Sequence, residues 1–446
     1  MSSSYTQIFF CKPPVAGKVK TRLGNFLGME RARDIYREIL QRVVGAFDPG
    51  STVLFSAGDE KLELLHEALP AFKAIEIQVN ADLGLRMADA LHRAAGSSDH
   101  AVLLAGTDIP LYSPETAEKA AQALEDHDLV LGPTPDGGYY LVGVSPRVAA
   151  DKKLLEDLFA DIPWSTPEVY ALQTARAREL GLKTAEMETI ADLDTMDDLL
   201  AWKKQASFYL QEHMPDIRAV LPVYNEAENL EFVLQPLFES GYFTEVICAD
   251  NNSSDGSREI AAAMGARVTL CTELGYGATC LQALKDIQER GGCDVVLFTD
   301  ADGADDPTRL GDLIRPLTSN ESDFTLGVRA PELAEKGALL PQARFGNWLS
   351  TFLMKILWGY GFGDLGPYRA LRWEALRKLK MDDRNFGWTV QMQIRAIKQK
   401  LRIAQIKVAY RKRHAGNSKV TASLKGAVAA GRIILWTVFQ EYFLKK

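Results

Sequence analysis

The chain has 446 residues, 47% of them hydrophobic and 25% charged, with a net charge of −8. That length is too great for one ordinary domain and suits two, each able to bury its own core. It contains no uncharged apolar run of the ~18 residues that a membrane-spanning helix needs.

The five cysteines (11, 248, 271, 280 and 293) are scattered, form no Cys-x-x-Cys and lie mostly in apolar runs. Reduced core cysteines in a cytoplasmic protein are therefore expected. The first residues have neither a basic flank nor a long apolar stretch, which predicts no signal peptide. Charge is unevenly spread. Residues 341–446 carry 21 Lys+Arg against 5 Asp+Glu, a surplus of +16, which leaves −24 for the first 340. So local a surplus calls for an anionic partner at the C-terminal end. Nucleic acid is disfavoured because no recognised nucleic-acid-binding motif accompanies the charge. A phosphorylated lipid or the anionic inner face of a membrane, contacted peripherally, fits better.

In the first half, apolar runs predict strands near 6–11, 52–57, 74–79, 101–106, 128–132 and 139–144. Helical spacing places helices near 29–46, 60–68, 83–96 and 114–126 between them. Domains are expected at 1–205 and 216–446, joined by a linker at 206–215. The first strand empties into Lys12-Pro-Pro-Val-Ala-Gly17-Lys18-Val-Lys20-Thr21-Arg22, a stiff basic loop. Its backbone N–H groups and cations can wrap a triphosphate or pyrophosphate, although the same residues also read as a solvated loop.

Further motifs follow: Asp82-Leu-Gly84-Leu-Arg86-Met87, Gly106-Thr107-Asp108-Ile-Pro110, Asp136-Gly137-Gly138-Tyr139-Tyr140, Asp161-Ile-Pro-Trp164-Ser165-Thr166 and Asp192-Leu-Asp194-Thr195. Together they resemble the bacterial arsenosugar-biosynthesis-type glycosyltransferases, which are similar to the nucleotidyltransferases of molybdopterin and deazaflavin cofactor synthesis. The resemblance implies a GT-A-like fold over residues 6–202. It leaves nucleotidyl transfer, sugar transfer and a silent nucleotide-binding module all open. The basic loop favours the first. Lys20 and Arg22 are the expected catalytic cations on an α-phosphate, and Lys12, Gly17, Lys18, Asp82 and Arg86 the expected nucleotide ligands. Asp136, Gly137, Gly138 and Tyr139 are expected on the substrate, and Asp108 and Asp194 on Mg²⁺ or Mn²⁺.

The second half opens with Ile217-Arg-Ala-Val-Leu-Pro222-Val-Tyr224-Asn-Glu226, a strand running into a helix start. A second strand, 245–249, leads into Asp250-Asn-Asn-Ser-Ser-Asp255-Gly256-Ser257. The apolar run 294–299 stops at Asp300-Ala301-Asp302, whose two carboxylates project into the crevice where open α/β sheets bind ligands. The run 101–106, ending at Asp108, echoes it, and two divergent copies of one architecture are expected.

These motifs, with Gly363-Asp364-Leu-Gly366-Pro-Tyr368-Arg369, Gly387-Trp388-Thr-Val-Gln391 and Arg411-Lys-Arg413-His414-Ala-Gly416-Asn-Ser418-Lys419, resemble the family 2 glycosyltransferases of the dolichol- and polyprenyl-phosphate type. The resemblance covers about residues 216–425 and implies an inverting transferase with a mixed, mostly parallel sheet. It places Pro222, Tyr224, Glu226, Asp250 and Asp300 on the nucleotide, with Asp300 and Asp302 on Mg²⁺ or Mn²⁺. Arg369, Gln391, Arg411, Arg413, Ser418 and Lys419 fall on a phosphate-bearing acceptor. Two departures stand out: Gln391 replaces the usual Glu, and Ala304 a metal-binding Gln. Asp364 then becomes the candidate base, unless an acceptor phosphate, already ionised, needs none.

Trp348, Leu349, Phe352, Leu353, Ile356 and Leu357 recur at helical spacing. They suit either a core-facing helix or one lying on a membrane, with Trp358, Tyr360 and Phe362 at headgroup depth and residues 427–443 as a second such surface. Taken together, the chain reads as a bifunctional transferase of two tandem GT-A-like α/β domains. One consumes an NTP and a phosphorylated small molecule, the other a nucleotide-diphosphate sugar and a phosphate-bearing, lipidic acceptor.

Overall fold

A computed structural model describes residues 5–73, 75–96, 99–338, 341–416 and 424–444, with backbone alone over 424–429 and at 444. The chain divides into two compact units, Met1–His213 and Met214–Lys446.

The first unit is built on β1 (Tyr5–Cys11), β2 (Thr52–Ser56), β3 (Ile75–Ile77), β4 (Ala101–Gly106), β5 (Leu129–Pro133), β6 (Tyr139–Val144) and β7 (Thr184–Glu186). They form one sheet in the order β3-β2-β1-β4-β6-β5-β7. All pairs are parallel except those of β6, which runs antiparallel to both β4 and β5. Central strands read as continuous apolar runs because both faces are covered, and Ile8, Phe9, Val102, Leu103, Leu129 and Leu131 are fully buried.

Beyond residue 144, where the sequence placed no individual element, the unit adds β7 and the helices Lys152–Leu158, Val169–Glu179 and Met196–Lys203. Thr195 and Asp198 close the last helix start with a capping box. Residues 206–213 lie on this unit rather than bridging freely. Trp202 meets Phe208 and Tyr209 edge-on at 5.2 and 4.9 Å, and Arg42 stacks on the Tyr209 ring.

The second unit comprises β8 (Ile217–Val223), β9 (Glu245–Asp250), β10 (Arg267–Leu270), β11 (Val295–Phe298), β12 (Phe324–Ala334), β13 (Arg369–Arg372) and β14 (Ile403–Tyr410). Their order, β10-β9-β8-β11-β13-β12-β14, repeats that of the first sheet position by position. The antiparallel strand is again the sixth, β13. In both sheets the order reverses between the first and fourth strands. Chains leave the two strands at that switch point in opposite directions, which opens a crevice at their carboxyl ends. Thr107-Asp108 follows β4 there and Thr299-Asp300 follows β11, each Asp lying two residues past its strand.

Candidate functional site

In the first unit the switch-point crevice gathers Asp108, after β4, with Asp192 and Asp194, after β7. All three offer an oxygen within 4.8 Å of the others. Lys20 points into this triad, its Nζ 2.9 Å from Asp194 Oδ1 and 3.2 Å from Asp108 Oδ2, with a side chain only 4% exposed. Burial opposes the charge on Lys20, yet the two carboxylates outweigh it and raise the pKa above the ordinary lysine value. Asp192 moves oppositely to its partner Asp194. Burial and the charges of Asp108, Asp194 and Asp136 push its carboxyl up to about 6. Asp192 stood in a quoted motif without a metal role; only the folded chain brings it to the other two.

The remaining expectations for this unit divide. Arg22, 76% exposed, reaches Asp194 at 3.7 Å and stays open to a ligand. Lys12 and Lys18 are exposed around Gly17, whose φ of 77° suits glycine. Tyr36 anchors the loop, accepting from the Lys12 N–H and donating to the Lys12 carbonyl. Asp82, expected on the nucleotide, instead caps the helix Leu83–Ala95 by accepting from the Leu85 N–H, and Arg86 donates back to the Asp82 carbonyl. Asp136 serves its own turn, accepting from Thr134 Oγ1 at 2.5 Å and from the Gly138 N–H at 3.1 Å. A Cβ at Gly137 would run into the Pro167 carbonyl, so its close approach is to the chain itself. Tyr139 turns its hydroxyl to Gln173 Oε1.

In the second unit a cavity of about 390 Å³ opens at the carboxyl ends of β8 and β11. Pro222, Tyr224, Glu226, Asp300, Asp302 and Arg413 line it, joined by Asn251, Tyr276 and Phe386, which were not anticipated. Tyr276 donates to Asp300 Oδ1 at 3.2 Å. Phe386 is carried by a loop whose Arg384 carbonyl accepts from the Ala278 N–H; Cβ atoms at Gly275 or Gly277 would block that approach.

Asp302 accepts from the Ala304 N–H at 3.0 Å and faces Arg413 at 3.5 Å, and Arg413 also grips Glu226. The segment bearing Arg413 is fixed on the acidic loop by Arg411 N–H to the Ala304 carbonyl and His414 N–H to that of Asp302. Burial, then repulsion from Asp302 and Asp305, pushes the Asp300 carboxyl well above the usual range, and burial raises Asp302 as well. Crowded carboxylates of this kind are hard oxygen donors whose repulsion a bound cation relieves, so they fit Mg²⁺ or Mn²⁺.

The expected acceptor side needs more correction. Asp364, the candidate base, is 2% exposed and held by Arg329 through two bonds of 2.6 Å. Arg369 is fully buried and donates to the carbonyls of Leu365, Gly366 and Thr389. Gln391, also buried, accepts from the N–H groups of Asp382 and Asp383. All three hold backbone and have no open face for an acceptor. Asp250 lies buried behind the cavity, accepting from Arg258 Nε at 2.6 Å and from the Ser253 N–H. Arg411 pairs with Asp306. Ser418 and Lys419 lie outside the described residues.

The helices Pro341–Trp358 and Leu424–Phe439 pack together. Their outer faces expose Phe345, Trp348, Phe352 and Ile356 on one and Trp436, Phe439, Tyr442 and Phe443 along the other and its continuation. Met354 turns inward, and Phe362, expected at headgroup depth, is buried in the core. No helix among the described residues is long and apolar enough to cross a membrane.

Comparison with known proteins agrees with this division. Residues 40–166 match the model of an uncharacterized protein conserved in bacteria (DUF2064), and residues 219–380 that of glycosyl transferase family 2. An uncharacterized glycosyltransferase of Mycobacterium tuberculosis is 31% identical over 48% of this chain and 94% of its own length. The undecaprenyl-phosphate mannosyltransferase of Micrococcus luteus is 25% identical over 47% of this chain and 89% of its own. A Desulfovibrio desulfuricans G20 structure, provisionally designated a nucleotide-diphospho-sugar transferase, is 30% identical over 47% of this chain and 94% of its own, with a TM-score of 0.43.

Proposed function

The chain belongs to glycosyl transferase family 2 through its C-terminal part, and on that basis we propose that the second unit moves a sugar, with inversion, from a nucleoside diphosphate to a phosphate-bearing acceptor. The observation that carries this reading is the cavity where Tyr224, Glu226, Asp300, Asp302 and Arg413 meet. Asp302, with Asp300 behind it, would hold Mg²⁺ or Mn²⁺. The ion would act as a Lewis acid, neutralising charge on the departing diphosphate. Tyr224, 45% exposed at the mouth, offers a ring face to the base. Arg413, beside Asp302 and Glu226, can meet the diphosphate or the acceptor phosphate.

With Asp364 committed to Arg329, the acceptor is best read as a phosphate, ionised at neutral pH and needing no base. The mannosyltransferase of Micrococcus luteus, named for undecaprenyl phosphate, supports a polyprenyl phosphate. The exposed aromatic helices and the +16 surplus of residues 341–446 fit the anionic surface that such a lipid occupies, at the inner face of a membrane.

For the first unit we propose nucleotidyl transfer from an NTP to a phosphorylated small molecule, supported by Lys20 and Arg22 meeting the acidic triad and by Lys12 and Lys18 exposed on the same basic loop. The identical strand order of the two sheets favours a second reading, two glycosyltransferases in series.

In the full chain, Asp302→Ala should abolish Mn²⁺-dependent turnover of nucleotide-diphosphate sugars; full activity in that variant would remove the metal assignment. Exchange of labelled pyrophosphate into NTP, lost in Asp108→Ala, should report the first unit. Sugar release without exchange would point to the serial reading.

A further inference from the structure

We propose that Lys20 is a tethered counter-ion for the Asp108–Asp192–Asp194 triad, mutually exclusive with a divalent cation, and that its displacement frees the ammonium for an incoming phosphate. This rests on the reading of the first unit as a phosphate-handling site.

The Lys20 ammonium lies against two of the three donors, bonded to Asp194 and Asp108 at 2.9 and 3.2 Å and shielded from water. One positive charge faces three carboxylates whose oxygens lie within 4.8 Å of one another, so the cluster keeps a negative excess.

A hard dication answers the deficit better than an ammonium. It carries twice the charge and binds carboxylate oxygen at about 2.0–2.6 Å rather than at hydrogen-bond distance. Both cations cannot hold Asp108 and Asp194 together, because like charges at such spacing repel strongly. Arg22 offers no substitute, since it touches the cluster only at 3.7 Å from the exposed side.

Lys20 sits at the end of the basic loop, on a flexible four-carbon stem, and its backbone φ of 47° starts the chain's next turn. Released from the carboxylates, its ammonium would find its nearest compensating anion in a phosphate lying along Lys12, Lys18 and Arg22. The acidic triad and the lysine therefore form an exchange pair: carboxylates to the metal, ammonium to the phosphate. In both arrangements the Lys20 ammonium keeps an anionic partner, carboxylates without ligand and phosphate with it, so the lysine is never left buried and unpaired.

The test uses the full chain. Lys20 should be nearly inert to acetic anhydride, read by peptide mass spectrometry, and saturating Mg²⁺ should speed its acetylation several-fold. An unchanged rate at saturating Mg²⁺ overturns the proposal. In a chain carrying Asp302→Ala, which removes the second unit's cation ligand, Lys20→Met should tighten Mn²⁺ binding at least tenfold by electron paramagnetic resonance. Adding Asp192→Asn should reverse the gain. Equal or weaker binding in Lys20→Met, or tightening that survives Asp192→Asn, overturns it equally. Pyrophosphate exchange is independent of these readouts. Its failure beside a positive result here would remove nucleotidyl transfer and leave the counter-ion standing.

Discussion

Arg329 clasps Asp364 with both prongs of its guanidinium, Nε to Oδ2 and the second amino nitrogen to Oδ1, each at 2.6 Å. The Asp364 carboxylate is buried, and the Arg329 stacking contact with the Tyr410 ring ties the pair to the end of β14. Removing one partner leaves the other charge buried and unpaired, which typically costs about 3–5 kcal/mol. Arg329→Met and Asp364→Leu should each lose stability of that order in urea titrations, while the double variant recovers much of it. If Asp364 were instead the base, Asp364→Asn would remain stable and lose the rising limb of its pH–rate profile.

Arg413 bridges Asp302 and Glu226 inside the cavity rather than lying on a separate acceptor face. Arg413→Ala is therefore expected to weaken nucleotide-diphosphate-sugar binding about tenfold or more, the scale of one charge-assisted contact. Calorimetric titration of donor without acceptor is the direct check. Unchanged donor affinity would return Arg413 to the acceptor alone.

Asp305 accepts from Thr299 Oγ1 and the Asp300 N–H through one oxygen, and its other oxygen, Oδ1, is buried with no hydrogen-bond partner among the described residues. Burial, reinforced by the Asp302 charge, pushes its carboxyl up to about 7. The unfolded chain titrates near the ordinary Asp value of ~3.9. Between about pH 4 and 7 the folded state thus holds the extra proton, so stability falls as pH rises through that window. Asp305→Asn keeps the two accepted hydrogen bonds and removes the ionisation. Its melting temperature should exceed the parent's at pH 8 by at least about 2–4 °C, the shift that ~1 kcal/mol gives a domain of this size. The advantage should vanish at pH 4.

Trp348 stacks on Phe352 and Trp436 on Phe439, leaving ring faces open on two packed helices. Taking an exposed aromatic ring out of water contributes on the order of 1–2 kcal/mol. Trp348→Ser with Trp436→Ser should lower flotation with anionic vesicles about tenfold while leaving the melting temperature within a degree or two. Equal flotation of parent and variant would argue that another partner covers this face.

Much of the fold was legible because its signals are local. A buried strand is a short apolar run, and its end is marked where Thr107-Asp108 and Thr299-Asp300 interrupt it. The strands expected near 101–106 and 139–144 appear at those residues for that reason. The edge strand β7, three residues long, carries too little pattern to announce itself, whereas β3, equally short, falls within the strand expected near 74–79. Polar residues were harder to judge. Arg369 and Gln391 stood in the motifs beside Asp302, yet both are buried on backbone groups of their own unit, while Asp82 and Asp136 bond backbone N–H groups and stay exposed.

By itself the sequence determined that two α/β layers would form and that aspartates would stand where the apolar runs 101–106 and 294–299 stop. Apolar periodicity and its interruption are properties of neighbouring residues and survive without knowledge of the rest. Only the tertiary structure decided which charges meet. Lys20 reaches Asp108 across 88 positions and Asp194 across 174, and Arg329 reaches Asp364 across 35. Whether a charged side chain serves a ligand or the fold depends on the partner that burial forces upon it. That partner is chosen by the crossing of strands, not by the residues beside it.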